Sequence, residues 1–239
     1  MTDRKDDLSF VDCSAAGTAM LDRLYAEVLK PAFPPAELIS PAEMETSYGR
    51  PNARFPGMIA GTAAGPVGAA LGEFSAASNI LLLCYLAVRA DLRSRGIGAD
   101  LLARALSRWR AELRPTAILA EIEDPRRHPP SSFGDPKARA RWYDRFGAGF
   151  LPLSHFQPAL QPGLSRASGL LLISLDRDAQ SVPVDALTLF LDEYIESYEG
   201  PAAREGDENY LALRAETVAW GDAVPVRPIS RLDDWLRSD

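Results

Sequence analysis

Six consecutive residues, Arg93-Ser94-Arg95-Gly96-Ile97-Gly98, have the types and spacing to hold an anion. They stand just ahead of an apolar helical pattern, and the first turn of a helix carries N–H groups without intrahelical partners. The helix dipole adds partial positive charge at the same end. Gly96 and Gly98 remove the Cβ atoms that would keep a phosphate from the backbone and allow φ angles that other residues avoid. Arg89, Arg93 and Arg95 add guanidinium groups, whose planar donors suit phosphate oxygens. A phosphorylated ligand is the leading inference, although turn glycines and solvated arginines at an ordinary helix start give the same string. The dinucleotide fingerprint and the P-loop do not fit, because there is no G-x-G-x-x-G and no Gly-Lys-Ser/Thr.

The flanking elements must position this loop. Ile80 to Val88 is an unbroken apolar run of strand length, the pattern of a strand covered on both faces, which periodicity alone does not separate from a buried helix. After the loop, Ile97, Leu101, Leu102, Ala105, Leu106, Trp109 and Leu113 recur at helical spacing and predict a helix packed back onto a sheet. Earlier in the chain, Phe10 to Cys13 reads as a first strand. Met20, Leu21, Leu24, Tyr25, Val28 and Leu29 read as a helix ending before Pro31. Ser40-Pro41-Ala42-Glu43 reads as a capping box with proline at the first helical position. The Phe33-Pro34-Pro35 bend is either punctuation or one wall of an acceptor pocket. Met58 to Ala63 and Val67 to Phe74 flank Ala64-Gly65-Pro66 as a hairpin. Beyond the helix, Thr116 to Glu123 alternates as a strand with Ala117, Leu119 and Glu121 on one side. Asp124 to Pro136 reads as a proline-rich loop, Arg139 to Phe146 as a short helix stopped by Gly147, and Phe150 to Leu153 as the strand that follows.

A strand, then Val88-x4-Arg93-x2-Gly96-x-Gly98, then a helix bearing Leu101-Leu102 resembles the acetyl-CoA-binding motif of the GNAT superfamily of N-acetyltransferases. The order of elements, read without the motif, matches that family's core. A second stretch, Ala140 to Gly147, resembles the family's aromatic signature, and by that resemblance Tyr143 is the general acid that protonates the departing thiolate. Packed on a sheet with its hydroxyl satisfied elsewhere, the same tyrosine would be structural. This chain departs from the family at Pro136, where an asparagine is common, and in Gly147-Ala148-Gly149-Phe150, where the family has Gly-Phe. The resemblance implies an α/β fold, a central twisted mixed sheet flanked by helices. It implies acetyl-CoA as acyl-donor substrate, bound by Ala87, Val88, Arg93, Ser94, Arg95, Gly96, Ile97 and Gly98. A backbone N–H near Ala87 or Val88 would face the thioester carbonyl as an oxyanion donor. Glu121 is the candidate base for the attacking amine, with Glu123 and Glu73 as alternatives.

Composition narrows the class. The 239 residues are 46% hydrophobic and 25% charged, as in a globular chain able to bury a core. With 33 acidic against 26 basic residues, nucleic acid is not an expected partner. Cys13 and Cys84 are expected to be free thiols in a reducing compartment. Together with His128 and His155 they show no metal-ligand spacing, so no metal is expected. The opening MTDRKDDLSF has no apolar signal segment, and no apolar run approaches the roughly 20 residues that span a bilayer. A cytoplasmic protein without a membrane partner is expected.

Ser168 to Leu175 should be the last core strand, reached through the Gln157 to Gly163 proline loop, which in this family often borders the acceptor site. Val184, Leu187, Leu191, Tyr194, Ile195 and Tyr198 predict an amphipathic helix after Pro183, and a further helix is expected around Glu208 to Trp220. The region is acidic through Asp192, Glu193, Glu196, Glu199, Glu205, Asp207 and Glu208, which make either a solvated face or a docking surface for a cationic acceptor. Phe190, Trp220 and Trp235 either cap the core or fill a homodimer contact. The sequence therefore divides into a catalytic domain over 1–175 and a helical C-terminal extension over 176–239. The resemblance implies transfer of an acetyl group from acetyl-CoA to a primary amine, on a small molecule or a protein, by direct attack in a ternary complex. Alternatives are an acyl-CoA sensor without turnover, an enzyme for a longer acyl chain, and a protein-interaction module on the same fold.

Overall fold

The computed structural model describes residues 8–237, so most of the expectation for the N-terminal ten residues lies outside the described residues. Two compact units divide the chain, one made of everything up to Phe74 together with Leu83–Arg114, the other of Ser75–Leu82 and everything from Pro115 onward. Among the described residues no helix is long and apolar enough to cross a membrane.

In the first unit, β1 (Ser9–Asp12) pairs antiparallel with β2 (Gly57–Thr62), and β2 pairs antiparallel with β3 (Gly65–Ser75) in the expected hairpin. The next strand, β4 (Ile80–Val88), has the bounds of the apolar run. Cys13, expected at the end of the first strand, instead opens a 3-10 turn. Helix α1 (Thr18–Leu24) continues as a π-turn over Tyr25–Leu29 and stops before Pro31. Helix α2 (Pro41–Tyr48) starts at the expected capping box, with the Ser40 hydroxyl accepting from the Glu43 N–H at 3.2 Å and Glu43 accepting from the Ser40 N–H at 2.8 Å. These helices and strands share a core of Leu24, Val28, Leu29, Met44, Ile59, Leu71 and Tyr85. Helix α3 (Ile97–Leu113) buries the stripe expected of it as far as Trp109, which is only 1% exposed, and leaves Leu113 half-buried, while its Arg108 reaches Asp12 at 2.8 Å and Arg104 lies over the Phe10 ring.

In the second unit, β5 (Ala117–Glu123) begins beside the start of β4, where the Thr116 N–H donates to the Asn79 carbonyl at 2.7 Å. Two strand starts side by side, with α3 between them in the chain, make the parallel crossover of a mixed sheet. Helix α4 (Pro136–Phe146) begins three residues earlier than expected, because Asp135 caps it and Pro136 takes the first helical position. β6 (Gly149–Phe150) is shorter than expected, since Pro152 has no N–H to continue a ladder, and it pairs with β7 (Leu170–Ser174), which also pairs with β5. The C-terminal region is more than helices. β8 (Ser181–Pro183) leads into α5 (Val184–Glu199), α6 (Pro201–Gly206) and α7 (Glu208–Val218), and β9 (Ala223–Pro225) returns to pair with β8. β10 (Arg227–Pro228) then joins β6, ahead of a 3-10 segment over Ile229–Arg237. The sheet order is β1-β2-β3-β4-β5-β7-β6-β10. Phe190 is buried and Trp235 lies 5.6 Å from Phe150, whereas Trp220 is 37% exposed.

The cap of α2 gives a direct stability test. Ser40→Ala removes an acceptor for an otherwise orphaned helix N–H and is expected to lower unfolding stability by about 1 kcal/mol. A urea titration reads this as a lower midpoint at unchanged slope.

Candidate functional site

The Arg93–Gly98 loop is exposed apart from buried Ile97 and half-buried Gly98, and its backbone is unusual. Ser94 has φ 63° and Gly96 has φ 80°, so two left-handed residues turn the chain into α3. No side chain caps this helix, and its first internal bond is Asp100 N–H to the Gly96 carbonyl at 3.0 Å. The N–H groups of the first turn therefore point out of the helix without a side-chain acceptor. Gly68 brings β3 close behind, since a Cβ there would stand 2.8 Å from the Ala87 carbonyl oxygen. Gly98 is different. Its added Cβ would meet only the Val88 side chain, at an ordinary 3.5 Å, so packing within the chain does not require glycine there.

The three arginines divide the work. Arg89 is held by Asp91 at 2.7 Å, and that pairing raises the guanidinium pKa and lowers that of the carboxyl. Arg93 donates to the Val88 carbonyl at 3.1 Å, which keeps it at the end of β4 beside Ala87 and Val88. Arg95 reaches the Asp91 carbonyl at 3.4 Å. Both are exposed, and among the described residues their side chains bond only to carbonyls, which leaves further guanidinium donors for a ligand.

The other expected site residues lie in the second unit. Tyr143, on α4, is 6% exposed and packs edge-on against Trp142 at 4.8 Å. Burial pushes its hydroxyl up to about 12, with Arg139 acting the other way. No hydrogen bond to that hydroxyl is found among the described residues.

Glu121, on β5, sits in a polar cluster. Its Oε1 is 2.5 Å from His155 Nε2, and its Oε2 accepts from the Tyr194 hydroxyl at 3.1 Å and from Gln157 Nε2 at 3.3 Å. These three partners lie 34 to 73 residues further along the chain, so neither spacing nor periodicity brings them together. The alternative bases are engaged elsewhere. Glu123 is ion-paired with Arg139, and in the first unit Glu73 is paired with Arg54 at 2.8 Å.

No protein-family model matches the sequence, and no curated protein matches it as a relative. Among solved structures, an acetyltransferase assigned to the GNAT family from Bacteroides thetaiotaomicron is similar at 20% identity and a TM-score of 0.51, over 70% of this chain and 85% of that one. The Escherichia coli ribosomal-protein-S18-alanine N-acetyltransferase aligns at 12% identity and a TM-score of 0.48, over 70% and 92%. A GNAT-family protein from Desulfovibrio desulfuricans aligns at 17% and 0.49, over 70% and 96%. The first of these shows the fold: the chain is folded as the GNAT acetyltransferases are.

Burial of the Tyr143 phenol has a measurable consequence at alkaline pH. The unfolded chain ionises this group near the ordinary 10, the folded chain only near about 12, so the unfolded state sheds its proton first. Its contribution to stability is intact below pH 10 and is lost as pH climbs through that window. Tyr143→Phe is expected to flatten part of the alkaline decline in unfolding free energy, measured by denaturant titration across the same range.

Proposed function

We propose that the chain is an acetyl-CoA-dependent N-acetyltransferase acting on a primary amine. The observation that carries this reading is the uncapped start of α3, with Gly98 bare although no contact among the described residues requires it. Open N–H groups, a helix dipole and two exposed guanidinium groups together suit a diphosphate. Residues Arg93 to Gly98 take the coenzyme's phosphates, and Ala87 and Val88 at the end of β4 lie beside Arg93, where the thioester arm would run. The GNAT-type fold supports the same assignment by analogy of architecture.

The chemistry is that of the side chains in hand. The amine nitrogen attacks the thioester carbonyl carbon, and a backbone N–H at Ala87 or Val88 stabilises the oxyanion, a donor typically worth about 3 kcal/mol in the transition state. The proton leaving nitrogen goes to the Glu121 carboxylate. As the tetrahedral species collapses, the carbon–sulfur bond breaks and the thiolate takes the Tyr143 proton. Burial keeps the Tyr143 phenol protonated, so the donor is present when the thiolate forms, although a pKa of about 12 makes it a weaker acid than a thiol and costs the transfer part of its driving force. The products are an N-acetyl amide and free coenzyme A, and the proton left on Glu121 returns to the Tyr143 phenolate through solvent, so no further reactant is needed.

Two experiments test this. Calorimetry with acetyl-CoA should show binding that Arg93→Ala combined with Gly98→Glu weakens by at least about tenfold, the loss expected for one charge-assisted hydrogen bond. Unchanged affinity would remove the loop assignment. In thiol-release assays over a panel of amines, Tyr143→Phe should lower kcat by about 100-fold while the calorimetric Kd for acetyl-CoA moves less than about twofold. An unaltered rate would take Tyr143 out of the mechanism.

A further inference from the structure

Among the described residues five large apolar side chains stand markedly exposed, and four of them, Leu189, Leu211, Val218 and Trp220, fall on α5, α7 and the turn after α7. A single exposed apolar residue is ordinary, but their concentration in one region marks an interaction surface. The two helices, both in the second unit, run antiparallel. The Val184 N–H at the start of α5 donates to the Asp222 carbonyl beyond the end of α7 at 3.0 Å, while Asp192, further along α5, bonds Tyr210 and Arg214. An open groove of about 600 Å³ lies between them, lined by Leu189 of α5, 40% exposed, and Val218 of α7, 47% exposed. Leu211, Arg214 and Val218 recur every three to four residues and so share one face of α7.

The lining includes a polar group without a partner. Thr188 is 9% exposed, and its Oγ1 is buried with no hydrogen bond among the described residues. A helical threonine can satisfy its hydroxyl by donating to the carbonyl four residues back, and Thr46 and Thr217 both do so at 2.8 Å. Thr188 does not, which leaves its hydroxyl for a polar group brought by whatever fills the groove. The groove is also acidic, with three carboxylates against one guanidinium, and that guanidinium, Arg214, bonds Asp192. Asp185 and Asp222 have no ion-pair partner among the described residues, and the bond from Val184 to Asp222 places both where α5 starts.

The shape selects the occupant. A small ligand needs a concave site that covers most of its surface, whereas a helix laid along an open groove has only one face to bury. From Asp185 to Asp192 the groove runs about 10 Å, two turns of such a helix. Charge disfavours a second copy, since this chain carries 33 acidic against 26 basic residues. We propose that the α5–α7 groove docks a basic amphipathic helix of a partner polypeptide. The partner's apolar stripe packs on Leu189 and Val218, a lysine or arginine reaches Asp185 and Asp222, and a polar side chain bonds Thr188 Oγ1. None of these residues belongs to the coenzyme or amine machinery, so the proposal is independent of the transferase reading.

The probe is a fluorescein-labelled peptide of about 15 residues built from leucine, alanine and lysine, with its leucines on one helical face. Fluorescence anisotropy with the full-length protein should show saturable binding that weakens as salt is raised. The same composition with its leucines dispersed around the helix has the same charge and should bind at least about tenfold more weakly, and a version with glutamate for every lysine should not bind. Leu189→Ser with Val218→Ser, both at exposed positions, should raise Kd at least about tenfold. Asp185→Asn with Asp222→Asn should raise Kd and reduce the salt dependence. Thr188→Val keeps the shape and removes the hydroxyl; it should raise Kd about threefold to tenfold without lowering the melting temperature, which a hydroxyl with only a structural role would not do. No saturation up to about 1 mM peptide, equal binding of the dispersed peptide, or a Kd unmoved by either pair of changes would overturn the proposal. So would a dimer in sedimentation that Leu189→Ser with Val218→Ser dissociates, because a second copy would then cover this face.

Discussion

An uncapped helix start can present its N–H groups at a fixed place only if the rest of the helix is anchored, and α3 is anchored along its apolar stripe from Ile97 to Trp109. Ile97, Leu101, Leu102, Ala105, Leu106 and Trp109 are all buried, and each large side chain among them contributes about 1.5–3 kcal/mol. The Arg108–Asp12 ion pair and the Arg104–Phe10 contact hold the same helix against β1. Behind the loop, Gly68 lets β3 approach β4 within a distance that no other residue would permit. The loop between β4 and α3 can therefore be both exposed and fixed. Its left-handed turns at Ser94 and Gly96 are conformations that a loosely tethered segment would not keep.

The second unit is governed by where its carboxylates find partners. Arg166 bonds Glu199 at the end of α5 and Asp207 at the start of α7, and both carboxyls are held below the usual range chiefly by that guanidinium. Glu199 also accepts the Ala159 N–H, which ties the loop carrying Gln157 to the same helix. Arg126 bonds Asp124 and the Leu232 carbonyl and lies over the Trp235 ring, so the end of β5 and the C-terminal segment are fixed together. Not every carboxylate of the unit is matched to an arginine: Glu193 and Glu216 bond to the Ser75 hydroxyl and the Ser154 N–H, and Glu121 to an imidazole, an amide and a phenol.

The sequence was informative where a signal is local. The apolar run of β4, the stripe of α3, the capping box at Ser40 and the hairpin around Gly65 each depend on residues within a few positions of one another, and the structure has them with nearly the expected bounds. Elements were missed where tertiary contacts decide. β8, β9 and β10 are two or three residues long and exist because another strand is there to pair with. Pro136 reads as the end of a loop, yet at the first position of a helix its missing N–H is no loss. The π-turn at Tyr25–Leu29 leaves the apolar spacing of the helix unchanged, and so gives no mark in the pattern.

The same distinction explains why the two halves of the proposed site were unequally legible. Phosphate recognition at a helix start is done mostly by backbone, so six consecutive residues with two glycines are enough to raise it. Recognition of an amine is done by side chains, and those around Glu121 come from β5, from the loop at His155 and Gln157, and from the middle of α5. No periodicity connects them. Each alone is ordinary: a strand glutamate, a lone histidine, an amide, and a tyrosine on the buried stripe of an amphipathic helix. Only their convergence makes the arrangement unusual.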